Sequence, residues 1–239
     1  MRLDRMLANM GVGSRKEVRQ LIKKGFVTIN KEVIKDSSIK IDPEKDFVAV
    51  RGEQIHYQKY IYLMLNKPKG VISATEDNNH STVIDLLPPE YKRFSPFPVG
   101  RLDIDTVGLL LLTNDGKLAH ELTSPKKNIE KTYFAKIRGK VEQEHISLFS
   151  KGVELVDGYV TKPAKLSIIK SDDISEINLS ITEGKFHQVK RMFKAIGREV
   201  IFLQRIKMGE IRLDEHLALG QFRELTKKEL EYCFSLKNS

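Results

Sequence analysis

The longest apolar runs in the chain are only six residues long, and one of them covers residues 107–112. A helix needs about 20 apolar residues to cross a bilayer, so we expect no transmembrane helix. The run is followed closely by Asn114-Asp115-Gly116, a combination typical of turns, which predicts a short buried strand over 109–113. A chain of 239 residues built around such short strands is long enough for one or two packed domains.

Helical and strand patterns are mixed along the chain without the regular alternation that builds a parallel α/β sheet. A capping box, Ser14-Arg15-Lys16-Glu17, opens a helix that ends at Gly25, and residues 26–34 then read as a short hairpin. Residues 52–59 form a junction before a larger body of strands and helices. The pattern favours an α+β fold with a mixed, mostly antiparallel sheet in the larger body.

The net charge of +9, from 41 Lys and Arg against 32 Asp and Glu, favours polyanionic partners. Composition alone admits nucleic acid, acidic protein or an anionic membrane, although no amphipathic anchor supports the membrane. In the helix after Ser14, five cations face one acid over ten residues. Most charge runs are solvated helix faces with balanced ion pairs, but this unbalanced set favours contact with phosphates. The five cations are Arg15, Lys16, Arg19, Lys23 and Lys24.

Sequence signatures of cofactor and metal sites are missing. There is no Gly-rich phosphate loop, nucleophile elbow or zinc-protease motif, and the six histidines are scattered singly. The single cysteine, Cys233, excludes an internal disulfide framework and a Cys-based zinc site. We therefore expect no metal, no cofactor and a cytoplasmic location. Nothing in the sequence requires an oligomer, so a monomer is expected.

The segment Gly100-Arg101-Leu102-Asp103 lies in a loop framed by proline and glycine, ahead of the buried strand. An Asp on such a loop can reach a ligand. The alternative is a turn Asp whose carboxylate is satisfied by backbone amides. Arg-Leu-Asp also occurs at residues 2–4 and 212–214, but only the middle copy has an apolar strand behind it, which makes Asp103 the candidate.

Residues 185–207 form a basic segment with seven Lys and Arg and one acid. Lys190 and Arg191 lie about 100° apart on a helix, so at most one of them points directly at a given site. A cation beside Asp103 would hold that carboxylate ionised and oriented, whereas the alternative is a flank that only contacts phosphates. The apolar positions predict the core face of a helix that ends at Gly197; they are Phe186, Val189, Phe193 and Ile196.

Tyr133 lies in an alternating strand, Lys131-Thr132-Tyr133-Phe134. A tyrosine can stack on a base, and its hydroxyl can take part in proton transfer. In the absence of other evidence an aromatic residue in a strand is more often part of the core. The residues alone leave both interpretations of Tyr133 open.

Together these segments resemble the RsuA-like pseudouridine synthases. The matching stretches are residues 100–116, then Lys131-Thr132-Tyr133, then residues 184–192. Residues 2–8 and 14–30 resemble an S4 (αL) RNA-binding domain. The segments follow the family's own order over nearly the whole chain. The implied organisation is an S4 domain over 1–58 and a pseudouridine synthase catalytic domain over 59–239.

The resemblance implies isomerisation of a uridine to pseudouridine in RNA, without a metal or cofactor. It makes Asp103 the catalytic carboxylate, Tyr133 the tyrosine that stacks on the target base, and Lys190 the basic partner of Asp103. Asp103 could attack the sugar, attack the base or first remove a sugar proton. Asp105 is expected to be structural or to face the substrate. The implied RNA-contacting residues of this domain are Arg101, which helps to fill the space of the flipped nucleotide, Lys185, Gln188 and Arg191.

Residues 187–193 resemble the small-subunit rRNA enzyme of the family more than its large-subunit members. This predicts a uridine of 16S rRNA as the target, in free rRNA or in a small-subunit assembly intermediate. Two alternatives remain: the same chemistry on 23S rRNA, and a non-catalytic S4-type protein associated with the ribosome. The intact set of Asp103, Tyr133 and Lys190 argues against the second alternative.

Overall fold

The computed structural model describes residues 1–237 and separates them into two units, each with its own apolar core. The first unit consists of Met1–Ile61 together with Pro88–Ser95. The second consists of Tyr62–Leu87 and the chain from Pro96 onwards. None of the helices in the described residues is both long and apolar enough to cross a membrane.

The first unit combines helices with a small antiparallel sheet. Its elements up to residue 61 are α1 (Leu3–Asn9), α2 (Arg15–Lys23), β1 (Val27–Ile29), β2 (Glu32–Ile34), β3 (Val48–Val50) and β4 (Glu53–Gln54). The strand order is β2-β1-β3-β4. β1 and β2 form the hairpin expected over residues 26–34.

Helix α2 begins where the sequence predicts. Ser14 donates its backbone N–H to Glu17 Oε2 at 2.7 Å, and Glu17 donates its backbone N–H to Ser14 Oγ at 3.3 Å. Both halves of the capping box are therefore formed. Val18 and Ile22 are fully buried in the core of the unit, which leaves the cations of α2 on its outer face.

The segment Pro88–Ser95 joins the first unit although the sequence prediction placed it in the second domain. Phe94 packs against the core of the first unit, and Arg93 donates a hydrogen bond to the carbonyl oxygen of Met10. The hydrogen bond between Arg93 and Met10 joins positions 83 residues apart, and local sequence patterns carry no information about it.

The second unit is organised around one large sheet. The remaining elements, in chain order, are β5 (Tyr62–Lys67), α3 (Pro89–Lys92, in the first unit), β6 (Phe97–Pro98), β7 (Val107–Thr113), α4 (Gly116–Thr123), a 3-10 turn (Pro125–Lys127), β8 (Lys131–Arg138), α5 (Gln143–Lys151), β9 (Lys165–Lys170), β10 (Ile174–Ile181), α6 (Gln188–Ala195), β11 (Glu199–Met208), β12 (Ile211–Arg212), β13 (Phe222–Glu224) and α7 (Lys227–Lys237).

The strands are ordered β13-β5-β7-β11-β8-β10-β9, with β6 added beside β7 and β12 beside β11. In the described residues β7 and β11 run parallel, and the other neighbouring strands of this sheet run antiparallel. The predicted α+β fold with a mixed, mostly antiparallel sheet is confirmed. The buried strand predicted over 109–113 is part of β7, every residue of which is buried.

The parallel junction of β7 and β11 depends on Gly108, which lies opposite Arg205. A Cβ atom at position 108 would lie 2.4 Å from the carbonyl oxygen of Arg205, and the φ angle of Gly108 is 101°, a value that favours glycine. Arg205 also donates from Nε to the carbonyl oxygen of Leu109 at 2.8 Å. The junction therefore holds β11 close to the strand that follows Asp103.

Two apolar cores stabilise this sheet. One contains Leu118 and Leu122 of α4 together with Cys233 of α7. The other contains Phe149 of α5 and Phe193 of α6, whose ring centroids are 5.1 Å apart. The helices are thus fixed by packing on the sheet, and α6 is held as a rigid support for the side chains on its first turn.

Candidate active site

A cavity of about 610 Å³ opens in the second unit and contains Asp103 and Tyr133. Its wall is formed by the loop before β7, the start of β8, the loop before α6 and the end of β11. A smaller adjoining pocket is also lined by Asp103 and Tyr133, and adds Lys190. The three residues to which the resemblance assigns catalytic roles therefore surround one recess, although they come from three separate parts of the sequence.

The loop that carries Asp103 is fixed by a buried lysine that the sequence analysis did not single out. Lys67, at the end of β5, is fully buried and donates from Nζ to the carbonyl oxygens of Pro68, Asp103 and Thr106 at 3.0–3.1 Å. Burial lowers the pKa of Lys67 to about 8, although the charges of Asp105 and Asp103 oppose this shift. Lys67 thus sets the position of the Asp103 backbone.

A second set of hydrogen bonds fixes the same loop one residue earlier. Ser73 Oγ accepts the backbone N–H of Leu102 at 3.0 Å and donates to its carbonyl oxygen at 2.9 Å. The backbone N–H of Gly70 donates to the carbonyl oxygen of Ile104 at 2.8 Å. The segment after β5 therefore positions the Asp103 loop through backbone contacts on both sides of the carboxylate.

The carboxylate of Asp103 faces two basic side chains. Lys190 Nζ lies 3.1 Å from Asp103 Oδ2 and 2.6 Å from Asp105 Oδ1, so the two carboxylates share one cation. His187 Nε2 lies 3.6 Å from Asp103 Oδ1. Partial burial alone would lower the pKa of Lys190, but its hydrogen bonds to Asp105 and Asp103 raise the pKa above its usual value. Lys190 therefore stays protonated beside Asp103.

The pKa of Asp105 is lowered by the same contact. Its partial burial acts in the opposite direction, but the hydrogen bond and charge of Lys190 outweigh that effect. The Asp105 side chain is half exposed. Its contact with Lys190 fits the expectation that Asp105 is a structural or substrate-facing group.

Lys190 and Arg191 point to different partners, as their angular separation on α6 requires. Arg191 forms an ion pair with Asp157, away from Asp103. Gln188 is buried: its amide nitrogen donates to Glu183 at 2.7 Å, and its amide oxygen accepts the backbone N–H of Lys185 at 2.8 Å. Both ends of the Gln188 amide are used inside the protein, and Gln188 also lines the smaller pocket, so its contact with RNA stays a prediction.

Phe186 does not belong to the core face of α6 as the apolar spacing predicted. Its side chain is 76% exposed, and α6 begins only at Gln188. His187 adopts a left-handed conformation with φ of 49°, which turns the chain immediately before the helix. The Phe186 ring therefore lies outside and stacks on the His187 ring, with 3.8 Å between centroids. The spacing was misleading because a turn, and not a helix, joins Phe186 to Val189.

The position of Tyr133 agrees both with a core residue of the strand and with a ring that is open to a base. It is partly buried against the apolar core that contains Phe193, and it also lines the cavity beside Asp103. Arg101 and Lys185 line the cavity too, and both are exposed, so they form a basic rim. The recess thus combines a carboxylate, an aromatic ring and surrounding cations.

Two further cavity-lining residues, Lys131 and Arg205, were missed by the sequence analysis. Both are buried in strands. Lys131 occupies the same strand phase as the buried Ala135 and Ile137, so a charged residue at an apolar position was the available signal. Among residues 1–237, no group of three or more His, Cys, Asp or Glu side chains is arranged to hold a metal ion.

The predicted RNA-binding residues of the first unit lie on one exposed helix. All five cations of α2 are exposed, and Arg19 is paired with Asp4 at 3.0 Å. In the described part of the chain, the other four, Arg15, Lys16, Lys23 and Lys24, form no ion pair. A helix face with four uncompensated charges can contact phosphates.

Family models identify two regions of this chain. The model described as RNA pseudouridylate synthase matches residues 61–195, and the model described as S4 domain matches residues 1–48. The first match contains the Asp103 loop, Tyr133 and Lys190. The second contains all of α1 and α2.

Curated relatives are similar over nearly their full lengths. "Uncharacterized RNA pseudouridine synthase YtzG" of Bacillus subtilis is 54% identical over 231 residues, which cover 96% of this chain and 97% of the relative. "Ribosomal small subunit pseudouridine synthase A" of Escherichia coli is 40% identical, with coverage of 96% and 98%. A solved structure, "Crystal structure of pseudouridylate synthase", is 38% identical, with a TM-score of 0.68 and coverage of 98% and 99%.

Proposed function

The chain belongs to the RNA pseudouridylate synthase family and carries an S4 domain, and from this premise we propose that it isomerises a uridine of 16S rRNA with Asp103 as the catalytic carboxylate. Pseudouridine synthases are RNA isomerases, and this is the activity of the chain. The identity of the target, the roles of the individual residues, a monomeric state and a cytoplasmic location belong to the proposal.

The observation that carries the assignment of Asp103 is its position between a cation and an open cavity. An enzyme that acts on a base in structured RNA must take that base out of the stack and enclose it. The cavity of about 610 Å³ is in the range of small-molecule sites. Lys190, in the adjoining pocket, keeps the Asp103 carboxylate oriented, and Tyr133 offers a ring on which the base stacks.

The S4 domain supplies phosphate contacts in this proposal. The exposed cations of α2 bind the RNA backbone without regard to sequence, while the cavity selects the reacting nucleotide. The basic rim residues Arg101 and Lys185 hold the RNA near the opening, and Arg101 helps to fill the space left by the flipped nucleotide. Isomerisation neither adds nor removes atoms or electrons, so the proposed reaction needs no external oxidant, reductant or co-substrate.

The choice of 16S rRNA is supported by relatives that are named for the ribosomal small subunit. Relatives with this name from Yersinia pestis and Escherichia coli are 42% and 40% identical to the chain over nearly its full length. Conversion of a uridine in 23S rRNA is the alternative target. The alternative activity is binding of rRNA without catalysis, in which Asp103 takes no part in any reaction.

Pseudouridine mapping of 16S and 23S rRNA tests the target and Asp103 together. Cells that lack the protein are complemented with wild type, Asp103→Asn or the matched control Asp214→Asn. We expect one 16S pseudouridine to disappear in the deletion and to return with wild type and with Asp214→Asn, but not with Asp103→Asn. Loss of a 23S site would overturn the choice of target. Restoration by Asp103→Asn would overturn the role of Asp103.

A further inference from the structure

Lys131 and Arg205 form a pair of buried cations on the wall of the cavity. Lys131 is 9% exposed and Arg205 is 3% exposed. Within the described residues, neither side chain has an acidic partner. Buried charges are normally paired, because an isolated charge is costly to remove from water. Two adjacent cations without an acid therefore create a strongly positive region inside the protein.

One nitrogen of the Arg205 guanidinium has no hydrogen-bond partner among the described residues. Nε donates to the carbonyl oxygen of Leu109 at 2.8 Å, which fixes the side chain at the junction of β7 and β11. Nη2 is buried and has no hydrogen-bond partner among residues 1–237. A buried donor without a partner is destabilising, so it is expected to have a partner in some functional state.

Lys131 keeps a proton that it can donate at neutral pH. Burial lowers the pKa of Lys131 to about 8, and the positive charges of Arg205 and Lys162 act in the same direction. No nearby carboxylate among the described residues opposes this shift. An anion that entered the cavity would be attracted to both cations and would restore the pKa of Lys131 towards its usual value.

The pair lies on the same face of the sheet as Tyr133. Arg205 is the register partner of Tyr133 across β8 and β11, and Lys131 lies two residues before Tyr133 on the same face of β8. Asp103 lines the same cavity. A base that stacks on Tyr133 would therefore bring its polar edge towards the two cations.

We infer that Lys131 and Arg205 form an anion-binding subsite that stabilises negative charge on the uracil base during the isomerisation. This inference rests on the proposed function and specifies the part of the reaction that the two residues serve. It makes both of them catalytic residues in addition to Asp103, because they contact the base itself.

Each route open to Asp103 places negative charge on the uracil. If Asp103 bonds to C1′ or removes the C2′ proton, the electron pair of the C1′–N1 bond passes to N1 and is shared with O2 and O4. If Asp103 adds to C6, the electron pair of the C5–C6 double bond is displaced towards O4, and the C1′–N1 bond then breaks with its electron pair left on N1. The charge is consumed when C5 bonds to C1′. The C5 proton is then lost and N1 gains one, while Asp103 leaves carbon or returns its proton, so atoms and electrons balance.

The depth of the pair favours the base over a phosphate as its ligand. A phosphodiester is charged before it binds, and moving it into a buried site is costly. Uracil enters as a neutral ring and becomes charged only during the reaction, when donors already in position are most effective. The exposed rim cations Arg101 and Lys185 are better placed for phosphates.

The first test compares Lys131→Met with the control Lys136→Met, each on an RNA that wild type converts. Lys136 lies on the same strand in the opposite phase and pairs with Glu176 at 3.1 Å. Met resembles Lys in size and removes a buried charge, so Lys131→Met is expected to fold. We expect its single-turnover rate at saturating RNA to fall by about 10²–10³, with RNA affinity within about twofold. Lys136→Met should react like wild type.

A phosphate-binding role would give a different pattern. The affinity of Lys131→Met for RNA would fall, the slope of log affinity against log salt would decrease by about one, and the rate at saturation would persist. That result, or an unchanged rate, would overturn the inference. Replacement of the target by 5-fluorouridine adds a second criterion, because fluorine withdraws electrons and stabilises the anion. The ratio of the wild-type rate to the Lys131→Met rate, measured as consumption of the target nucleotide, should then be at least about tenfold smaller than with uridine. A purely structural defect would leave this ratio unchanged.

Barbiturate binding tests the subsite without turnover. Barbiturate is a pyrimidine that is anionic at neutral pH, and we expect wild type to bind it more tightly than uracil. This preference should disappear in Lys131→Met and in Lys131→Gln, and should persist in Lys136→Met. A wild-type protein that shows the preference but forms no pseudouridine in rRNA would contradict the proposed function and leave the subsite standing. A wild type that forms pseudouridine but shows no preference for barbiturate would contradict the subsite alone.

Discussion

Two copies of Arg-Leu-Asp occupy opposite environments, one at the start of α1 and one before β7. In the first copy, Asp4 accepts hydrogen bonds from Arg2 at 2.9 and 3.0 Å and from Arg19 at 3.0 Å. The Asp4 side chain is buried, which by itself would raise its pKa. The hydrogen bonds, of which that from Arg2 has the largest effect, outweigh burial and lower the pKa of Asp4 to about 2. In the second copy, Asp103 shares Lys190 with Asp105 and lines an open cavity.

The difference shows that a carboxylate becomes available for chemistry when its partners leave one side open. Asp4 has both oxygens occupied by arginines of its own unit, so it serves the packing of α1 and α2. The Asp103 loop is held through backbone atoms by Lys67 and Ser73, which leaves the carboxylate free to face the cavity. Identical tripeptides therefore acquire different environments from distant residues.

Asp103→Asn should produce the largest effect and separates the two copies most clearly. We expect turnover to fall by at least about 10³, because a single catalytic residue commonly contributes this much. RNA affinity and the melting temperature should remain near wild type. Turnover assays, RNA titrations and thermal unfolding check these outcomes. Asp214→Asn, in the third copy and paired with Arg223 at 2.7 Å, is the control for loss of an Asp from this tripeptide.

Lys67→Met tests how the second copy is positioned. Loss of three hydrogen bonds to backbone carbonyls should shift the Asp103 loop and lower turnover by about 10–10², since small displacements of reacting groups are costly. Unchanged turnover would show that Ser73 and Gly70 hold the loop without Lys67. The native pKa of Lys67, about 8, is below its unfolded value of 10.5. Charging Lys67 therefore opposes folding at neutral pH. Wild-type stability should rise relative to Lys67→Met as pH increases from about 8 towards 10.5.

Asp4→Asn should affect stability and leave chemistry intact. The arginine partners of Asp4 are about half exposed, so solvent screens the ion pairs, and we expect a loss of about 1–2 kcal/mol in the first unit. The native pKa of about 2 is below the usual value of 3.8. The contribution of Asp4 is therefore present above about pH 4 and is lost as pH falls through about 2. Hydrogen exchange of α1 and α2 amides measures both effects, and a large loss of turnover would contradict the division of roles.

Removal of charge from α2 should have the smallest effect for each residue. We expect Lys16→Gln, Lys23→Gln and Lys24→Gln each to make RNA binding less sensitive to salt. The slope of log affinity against log salt concentration should decrease in magnitude by about 0.7–0.9 for each phosphate that the lysine neutralises in wild type. The rate at saturating RNA should not change. Lys45→Gln removes an exposed charge from the same unit that is already near Asp42, and it serves as the control. A salt slope unaffected by all three substitutions would show that α2 presents only a solvated face.

Patterns that depend on near neighbours in the chain predicted much of the fold. The capping box at Ser14 and Glu17, the hairpin over 26–34 and the buried strand over 109–113 all lie where the sequence placed them. Each depends on hydrogen bonds or periodicity within a few residues. Such local signals survive folding because the same short-range geometry operates in any tertiary context.

The sequence was a poorer guide wherever burial depended on distant partners. Helical spacing placed Phe186 in the core, but the left-handed backbone at His187 puts its ring outside. The amide of Gln188 is held between Glu183 and the Lys185 backbone, a contact that the sequence pattern did not indicate. Periodicity cannot reveal such outcomes, because they depend on turns and on which polar atoms meet across the fold.

The order of residues is sufficient to define the local elements, the basic character of α2 and the segments that carry Asp103, Tyr133 and Lys190. Long-range packing adds that Lys67 fixes the Asp103 loop, that Lys131 and Arg205 lie buried without acids among the described residues, and that Asp4 is fully paired. The two kinds of information differ because the state of a charged group depends on the solvent and charges around it. Those surroundings are assembled from residues far apart in the chain.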